Sequence, residues 1–192
     1  MLHSCDEYDQ DPEAVSVAFE DLRREGLIGL RGISAYSHHD YRAIAASGFD
    51  AVQVPVNLFD WRQIENGGLD ALRSAGMLVF IRSVYLQGLV FQDPAALDER
   101  MAFTRGPLET FRAFCARWEL APAELAVAFA LSLPQVDSLV LGSETAEQVR
   151  ENAALVERVP RLAPEQMEAL RAAFRDSPPR LLNPSMWFNA MK

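Results

Sequence analysis

Gly32-Ile33-Ser34-Ala35-Tyr36-Ser37 leads through a short helical segment to Ala51-Val52-Gln53-Val54-Pro55-Val56-Asn57. Both runs are apolar and both end in small or amide side chains. A parallel strand covered on both faces is apolar along its length. A β/α fold gathers its polar ligand-binding groups where such strands end. Ser34, Gln53 and Asn57 are therefore the first site candidates. A competing reading gives the same side chains to strand ends and loop backbone, which short polar residues satisfy well.

Working outward, the pattern repeats. Pro12 suits the first position of a helix. Val15, Ala18, Phe19 and Leu22 then recur at helical spacing as far as Arg24, and Gly26 marks the stop. Leu27 to Ile33 reads as a strand, Asp40 to Ser47 as a helix closed by Gly48, and Phe49 to Val56 as the next strand. Pro55 sits near that strand's end, where a missing N–H does least harm. Leu69 to Ala75 is a helix closed by Gly76, and Met77 to Ile81 is the most continuous apolar run. Helix, glycine, strand three times over argues for parallel βα units.

Ser4 to Asp11 reads as an acidic loop and Leu58 to Asn66 as a polar-aromatic one. A long connection, Arg82 to about Gly106, follows the third strand, and such loops are commonly functional. Helices are expected over Pro107 to Trp118, with Phe111, Phe114, Cys115 and Trp118 inward, and over Pro122 to Leu133, with Leu125, Phe129 and Leu133 inward. A short strand at Leu139 to Leu141 leads to Gly142-Ser143-Glu144-Thr145. A helix from Ala146 to Leu155 begins there, capped by Thr145 or Ser143, and another runs from Pro164 to Phe174. The tail, 177–192, reads as irregular, with Trp187 and Phe188 needing cover. The expectation is one domain over 1–192.

The 192 residues carry 18 Lys plus Arg against 27 Asp plus Glu, a net charge of −9. That balance repels phosphate backbones and argues against a nucleic-acid partner. No apolar run reaches membrane-span length and no basic, apolar leader opens the sequence, so the expectation is a cytoplasmic protein without a membrane partner. Cys5 and Cys115 are too few and too far apart for a disulfide framework. His3, His38 and His39 show no metal-ligand spacing, and His38-His39 reads as a solvated helix start; no metal is expected.

Taken in order, Leu2-His3, Gly32-Ile33-Ser34, Val52-Gln53-Val54-Pro55-Val56-Asn57, Arg82-Ser83 with Leu86-Gln87-Gly88-Leu89, and Leu141-Gly142-Ser143 with Gln148 and Glu151-Asn152 resemble the C-terminal part of an aldo/keto reductase. The five segments fall in family order at family spacing. The resemblance implies an α/β fold: a partial (β/α)8 TIM barrel, roughly its C-terminal half, with strands near residues 1–3, 28–34, 50–56, 77–82 and 138–142. It implies reversible hydride transfer between a nicotinamide cofactor and an aldehyde or ketone, the small carbonyl substrate being the partner. His3 matches the family's active-site histidine, which orients and polarises the carbonyl. Ser34 and Gln53 match residues that hold the nicotinamide carboxamide, and Gln supplies both the donor and the acceptor that an amide needs. Ala35 departs from the Asn that often follows that Ser.

Arg82 stands where many members carry a Tyr that stacks on the nicotinamide; an Arg plane also stacks, but adds a positive charge. Ser83, Leu86 and Gln87 match a loop near the cofactor diphosphate. Gly142, Ser143, Gln148, Glu151 and Asn152 match the segment that holds the adenosine end, with Glu151 and Asn152 suited to the adenine amino group. Gly142 and Gln148 replace the Lys or Arg used elsewhere for the 2′-phosphate of NADP, and Glu144 is acidic. The family habit favours NADP, with NAD the alternative.

A full barrel has eight βα units and about 250 residues; this sequence supplies about four and a stub. The family's Asp, general-acid Tyr and Lys have no counterpart by motif, and Tyr8, Tyr36, Tyr41 and Tyr85 are out of place for the acid. The sequence therefore reads as a fragment or mis-started form of a longer reductase. A partial barrel has open sheet edges, so self-association or a complementary N-terminal half is expected. The alternative is a non-catalytic nucleotide-binding or scaffold protein that pairs through those edges. A third reading, a barrel enzyme using Asp6-Glu7, Asp50 and Asp60, is weaker, because loop carboxylates in an acidic protein are mostly solvated. Trp61, Phe91 and Trp187 are expected to edge a pocket for an apolar or aromatic substrate.

Overall fold

The computed structural model describes residues 1–187; Phe188 lies outside the described residues. The chain divides into two compact units. The first comprises Met1–Pro55, Arg62–Arg82 and Gln135–Leu139, and it holds the sheet.

In the first unit, Cys5–Gln10 (α1) is helical where a loop was expected. The acidic run is itself a helix start. Ser4 Oγ accepts from the Asp6 N–H at 3.1 Å, Asp6 and Glu7 face the positive end of the helix, and Cys5 is buried at 3% exposure. Asp11 Oδ1 then accepts from the Ala14 N–H at 2.9 Å and opens Pro12–Arg24 (α2). Phe19 of α2 meets Phe49 edge-on at 5.7 Å.

Of the expected strand Leu27 to Ile33, only Gly32–Ser34 (β1) is extended within the sheet. Leu27 and Leu30 are exposed, so apolar character alone misplaced the strand start. Tyr41–Ala46 (α3) is capped by Asp40, and Ala51–Pro55 (β2) follows. Arg62–Glu65 (α4) is a single turn within the stretch expected to be loop. Gly68–Ser74 (α5) leads to Leu78–Arg82 (β3), and Ser138–Leu139 (β4) completes the sheet. All neighbours pair in parallel, in the order β1-β2-β3-β4. Leu2 adds an isolated parallel bridge to Ile33. Ala51, Val52, Val54, Val79 and Ile81 are buried, as a parallel sheet covered on both faces requires.

The second unit comprises Val56–Trp61, Ser83–Pro134 and the chain from Val140 onward. It opens with Leu58 and Phe59 fully buried. Three 3₁₀ turns occupy the long connection, at Leu89–Phe91, Pro94–Ala96 and Glu99–Thr104. Arg105–Trp118 (α6) buries Leu108, Phe111 and Cys115, one face at helical spacing. Pro122–Leu131 (α7) differs: Leu125 through Ala130 are all buried, so it has no polar face over that run. Ala146–Arg158 (α8) is capped by Thr145, and Pro164–Phe174 (α9) runs as expected. Within the tail, Pro179–Leu182 (α10) and Pro184–Met186 form short turns. Phe59 packs against Phe111 and Phe174, and Trp61 packs edge-on against Phe129. No helix among the described residues is long and apolar enough to cross a membrane.

Candidate functional site

In the first unit the sheet register brings the candidate residues side by side, with Gln53 in the middle of its strand rather than at its end. Ser34, the last residue of β1, pairs with Gln53 of β2, and Pro55 pairs with Arg82 at the end of β3. Ser34 is 8% exposed and Gln53 is half-buried. The sheet sets their spacing: the Ala35 N–H donates to the Gln53 carbonyl at 2.8 Å. A hydroxyl beside an amide offers both donors and acceptors to a planar amide ligand. His3 follows the Leu2 bridge directly and is exposed.

Arg82 is held within its own unit. Its guanidinium donates to the Ala35 carbonyl at 3.2 Å and lies over the Tyr36 ring, 4.8 Å from the centroid. That cation–π contact fixes the Arg82 plane against a protein ring. The sequence pattern did not single out Tyr36, because nothing local to it points to Arg82.

In the second unit, Ser83, Leu86 and Gln87 have φ of 62°, 44° and 55°, and Gly88 follows at 78°. Non-glycine residues rarely adopt this left-handed conformation; each costs on the order of 1–3 kcal/mol, and such residues cluster at ligand clamps and switches. Leu86 is buried and Gln87 is exposed, so the turn is pinned by one side chain and open at the next.

The same unit contains a chain of polar groups. Tyr85 donates its hydroxyl to Asn152 Oδ1 at 2.9 Å, and Asn152 Nδ2 donates to Ser143 Oγ at 3.0 Å. Burial pushes the Tyr85 phenol above its ordinary value and keeps it a donor. Gln148 is used at the helix start: its Oε1 accepts from the Glu144 N–H at 2.7 Å, while its own N–H donates to Thr145 Oγ1 at 3.2 Å. Gly142, Ser143 and Glu151 are exposed. Sequence reasoning missed Tyr85 as the partner of Asn152, although its place in a long loop after a strand was a signal.

Two expected site features are structural. Asn57 is buried at 3% exposure, and its Oδ1 accepts from the Phe59 N–H at 3.1 Å, which is the loop-backbone role weighed for it. Trp61 and Trp187, expected at an exposed edge, are core residues. They are 4% and 5% exposed, and their indole N–H groups donate to the carbonyls of Leu58 and Arg180. Only Phe91 of that trio is exposed. Long apolar rings satisfy a core as well as a ligand, and sequence cannot separate the two.

The aldo/keto reductase family model matches residues 1–175, and the chain belongs to this family. It is 28% identical over 182 residues to the uncharacterized oxidoreductase YqkF of Bacillus subtilis (strain 168), covering 90% of this chain and 58% of that protein. It is 29% identical over 159 residues to the NADH-specific methylglyoxal reductase of Escherichia coli (strain K12), covering 74% of this chain and 48% of that one. The chain thus spans about half the length of these curated relatives. An aldo-keto reductase from Bacillus halodurans, in its apo form, superposes with a TM-score of 0.64 at 23% identity, over 82% of this chain and 55% of that one. Its holo form gives 0.61 at 22% identity, over 82% and 54%. The shared fold is the parallel α/β architecture of a (β/α)8 barrel, over about half its length.

Proposed function

We propose that the chain supplies the cofactor-binding part of an NAD(P)-dependent oxidoreductase that interconverts an aldehyde or ketone and its alcohol. The observation that carries this reading is the Tyr85–Asn152–Ser143 chain. Asn152, in the middle of α8, is held in one orientation by Tyr85 and tied to Ser143, and an amide beside a hydroxyl suits an adenosine group. The left-handed turn at Leu86 to Gly88 supports a role near the diphosphate, since successive peptide N–H groups in such turns attract anions. Glu151 and Gly142 complete this group, and Gln148 shapes it through the Glu144 N–H. Ser34 and Gln53 are the proposed partners of the nicotinamide carboxamide, and His3 that of the substrate carbonyl.

When bound, a reduced nicotinamide supplies the hydride. The described residues hold and orient, and among them no tyrosine is placed to supply the proton that the carbonyl oxygen then needs. Tyr41 is buried at 1% exposure, Tyr85 is committed to Asn152, Tyr36 lies under Arg82, and Tyr8 packs on Phe49. The sole lysine, Lys192, lies outside the described residues. This favours, as the second reading, nucleotide binding without turnover by the chain alone. The family habit favours NADP. Gly142, Glu144 and Gln148 bring no cation to a 2′-phosphate and favour NAD.

Calorimetric titration of the chain with NADPH and NADH tests the reading. We expect saturable binding of at least one, weakened about tenfold in Asn152→Ala, the size of one lost hydrogen bond. No binding of either, or an unchanged affinity in Asn152→Ala, would refute it. Turnover of a model aldehyde by the chain alone would refute the second reading.

A further inference from the structure

Folding brings Asp6 to His38 and His39 across more than 30 residues. The Asp6 Oδ1 lies 3.2 Å from the His39 Nε2. The His38 and His39 rings have centroids 4.2 Å apart, and His38 stacks on Tyr36 at 5.9 Å and 10°. One ligand atom from each of the three residues lies within 4.8 Å of the others. We propose that Asp6, His38 and His39 form a surface site for a divalent transition metal of the zinc class.

Two imidazoles and a carboxylate are a donor set that borderline metals favour, with a fourth position left to water. Metal–ligand bonds of about 2.0–2.2 Å at tetrahedral angles set ligand atoms about 3.4 Å apart. The Asp6–His39 pair already has that separation, so rotation of the exposed His38 ring is the main adjustment.

The Tyr36 backbone orients the His39 ring. The His39 Nδ1 lies 2.9 Å from the Tyr36 N–H and 3.3 Å from the Tyr36 carbonyl oxygen. With its proton on Nε2, His39 accepts from the Tyr36 N–H and donates to Asp6. Metal binding uses the other tautomer: with the proton on Nδ1, His39 gives up the bond from the Tyr36 N–H, donates to the Tyr36 carbonyl and turns an Nε2 lone pair toward Asp6 and His38. A ligating histidine is ordinarily oriented by such a backbone carbonyl. The His39 side chain is 9% exposed and that of Asp6 65%, so one ligand is pre-positioned and the metal has access from solvent. An adjoining cavity of about 150 Å³ is lined by His39 together with Asp9, Asp40 and Tyr8. Linear spacing could not reveal the site, because Asp6 meets the histidines only through the fold.

A bound ion would tie α1 to the loop after β1, so metal should raise the melting temperature. The test uses the tag-free full chain, stripped with chelator and titrated with CoCl₂ and ZnCl₂. We expect one equivalent of Co²⁺ to give the visible absorption of a four-coordinate site, Zn²⁺ to displace it and raise Tm, and Mg²⁺ to do neither, since it prefers all-oxygen sites. His38→Ala and Asp6→Ala should each weaken binding about tenfold or more. His38 is exposed, so His38→Ala remains decisive even if His39→Ala fails to fold. Absence of saturable Co²⁺ binding, or equal affinity in wild type, His38→Ala and Asp6→Ala, would overturn the site and leave the trio as a hydrogen-bonded helix start.

Discussion

At the scale of the residue, one device recurs where strands begin. Asp50 precedes β2, and its Oδ2 accepts from the Arg31 N–H at 2.7 Å and from Arg31 Nε at 3.5 Å. Asp137 precedes β4, and its Oδ2 accepts from the Val79 N–H at 2.8 Å while Oδ1 takes Arg73 at 2.7 Å. Each carboxylate satisfies the backbone of the neighbouring strand and sets the register there. The Arg31 N–H, then the charges of Arg31 and Arg23, hold the Asp50 carboxyl below its ordinary value. Asp50→Ala leaves that N–H without its partner and should cost about 1–3 kcal/mol, read as a lower urea midpoint. A depressed folded pKa gives stability that is complete above the unfolded value of about 3.9 and is lost as pH falls through the folded one. The gap between wild type and Asp50→Ala should therefore narrow below about pH 4; a gap that stays constant would assign the loss to packing. These partners could not be read from sequence, where Asp50 was one of several loop carboxylates. The pairing of Ser34 with Gln53 could be anticipated, because each is a polar residue in an otherwise apolar run; that Gln53 lies mid-strand rather than at the strand end could not.

At the scale of the element, helices α2 and α9 were readable because stripe, cap and proline agree. Pro12 and Pro164 begin the helices, and Asp11 or Gln166 closes the first turn. Helix α1 was not, since six residues leave no period to read and its acidic composition imitates a loop. Helix α7 was found but misjudged. Its alanines hid a second buried face: Ala126, Ala128 and Ala130 are at most 1% exposed. Small residues on every side of a helix mean close neighbours on every side. Ala128→Leu should therefore destabilise by about 1–3 kcal/mol through overpacking, although leucine is nearly as good a helix former as alanine. A urea midpoint equal to wild type would mean that space remains around α7.

At the scale of the whole molecule, pH acts on stability from both sides. Below neutrality, Asp50 and Glu124 set the acid limb: the Ala121 N–H and then Arg158 hold the Glu124 carboxyl below its ordinary value. Both contributions are complete above about pH 4–5 and fall away below it. Above neutrality the sign reverses. Burial pushes the Cys115 thiol up to about 11, against a partial opposing pull from Arg112, and burial raises the Tyr85 phenol as well. A thiol whose folded pKa is raised contributes fully below its unfolded value of about 8.5, and the contribution is lost as pH climbs toward the folded one. Stability should thus be flat from about pH 5 to 8.5 and decline on either side. The net charge of −9 also grows with pH and adds repulsion, so the alkaline decline alone does not identify the thiol. Cys115→Ala does: it removes the buried thiol from α6 and leaves Asp50 and Glu124 untouched. Urea midpoints measured from pH 4 to 10 should show an alkaline limb that is shallower in Cys115→Ala and an acid limb that superposes on wild type. If both limbs superpose, the Cys115 thiol ionises alike in the folded and unfolded chains, and the decline belongs to charge repulsion, Tyr85 and Cys5, whose thiol burial pushes up to about 12.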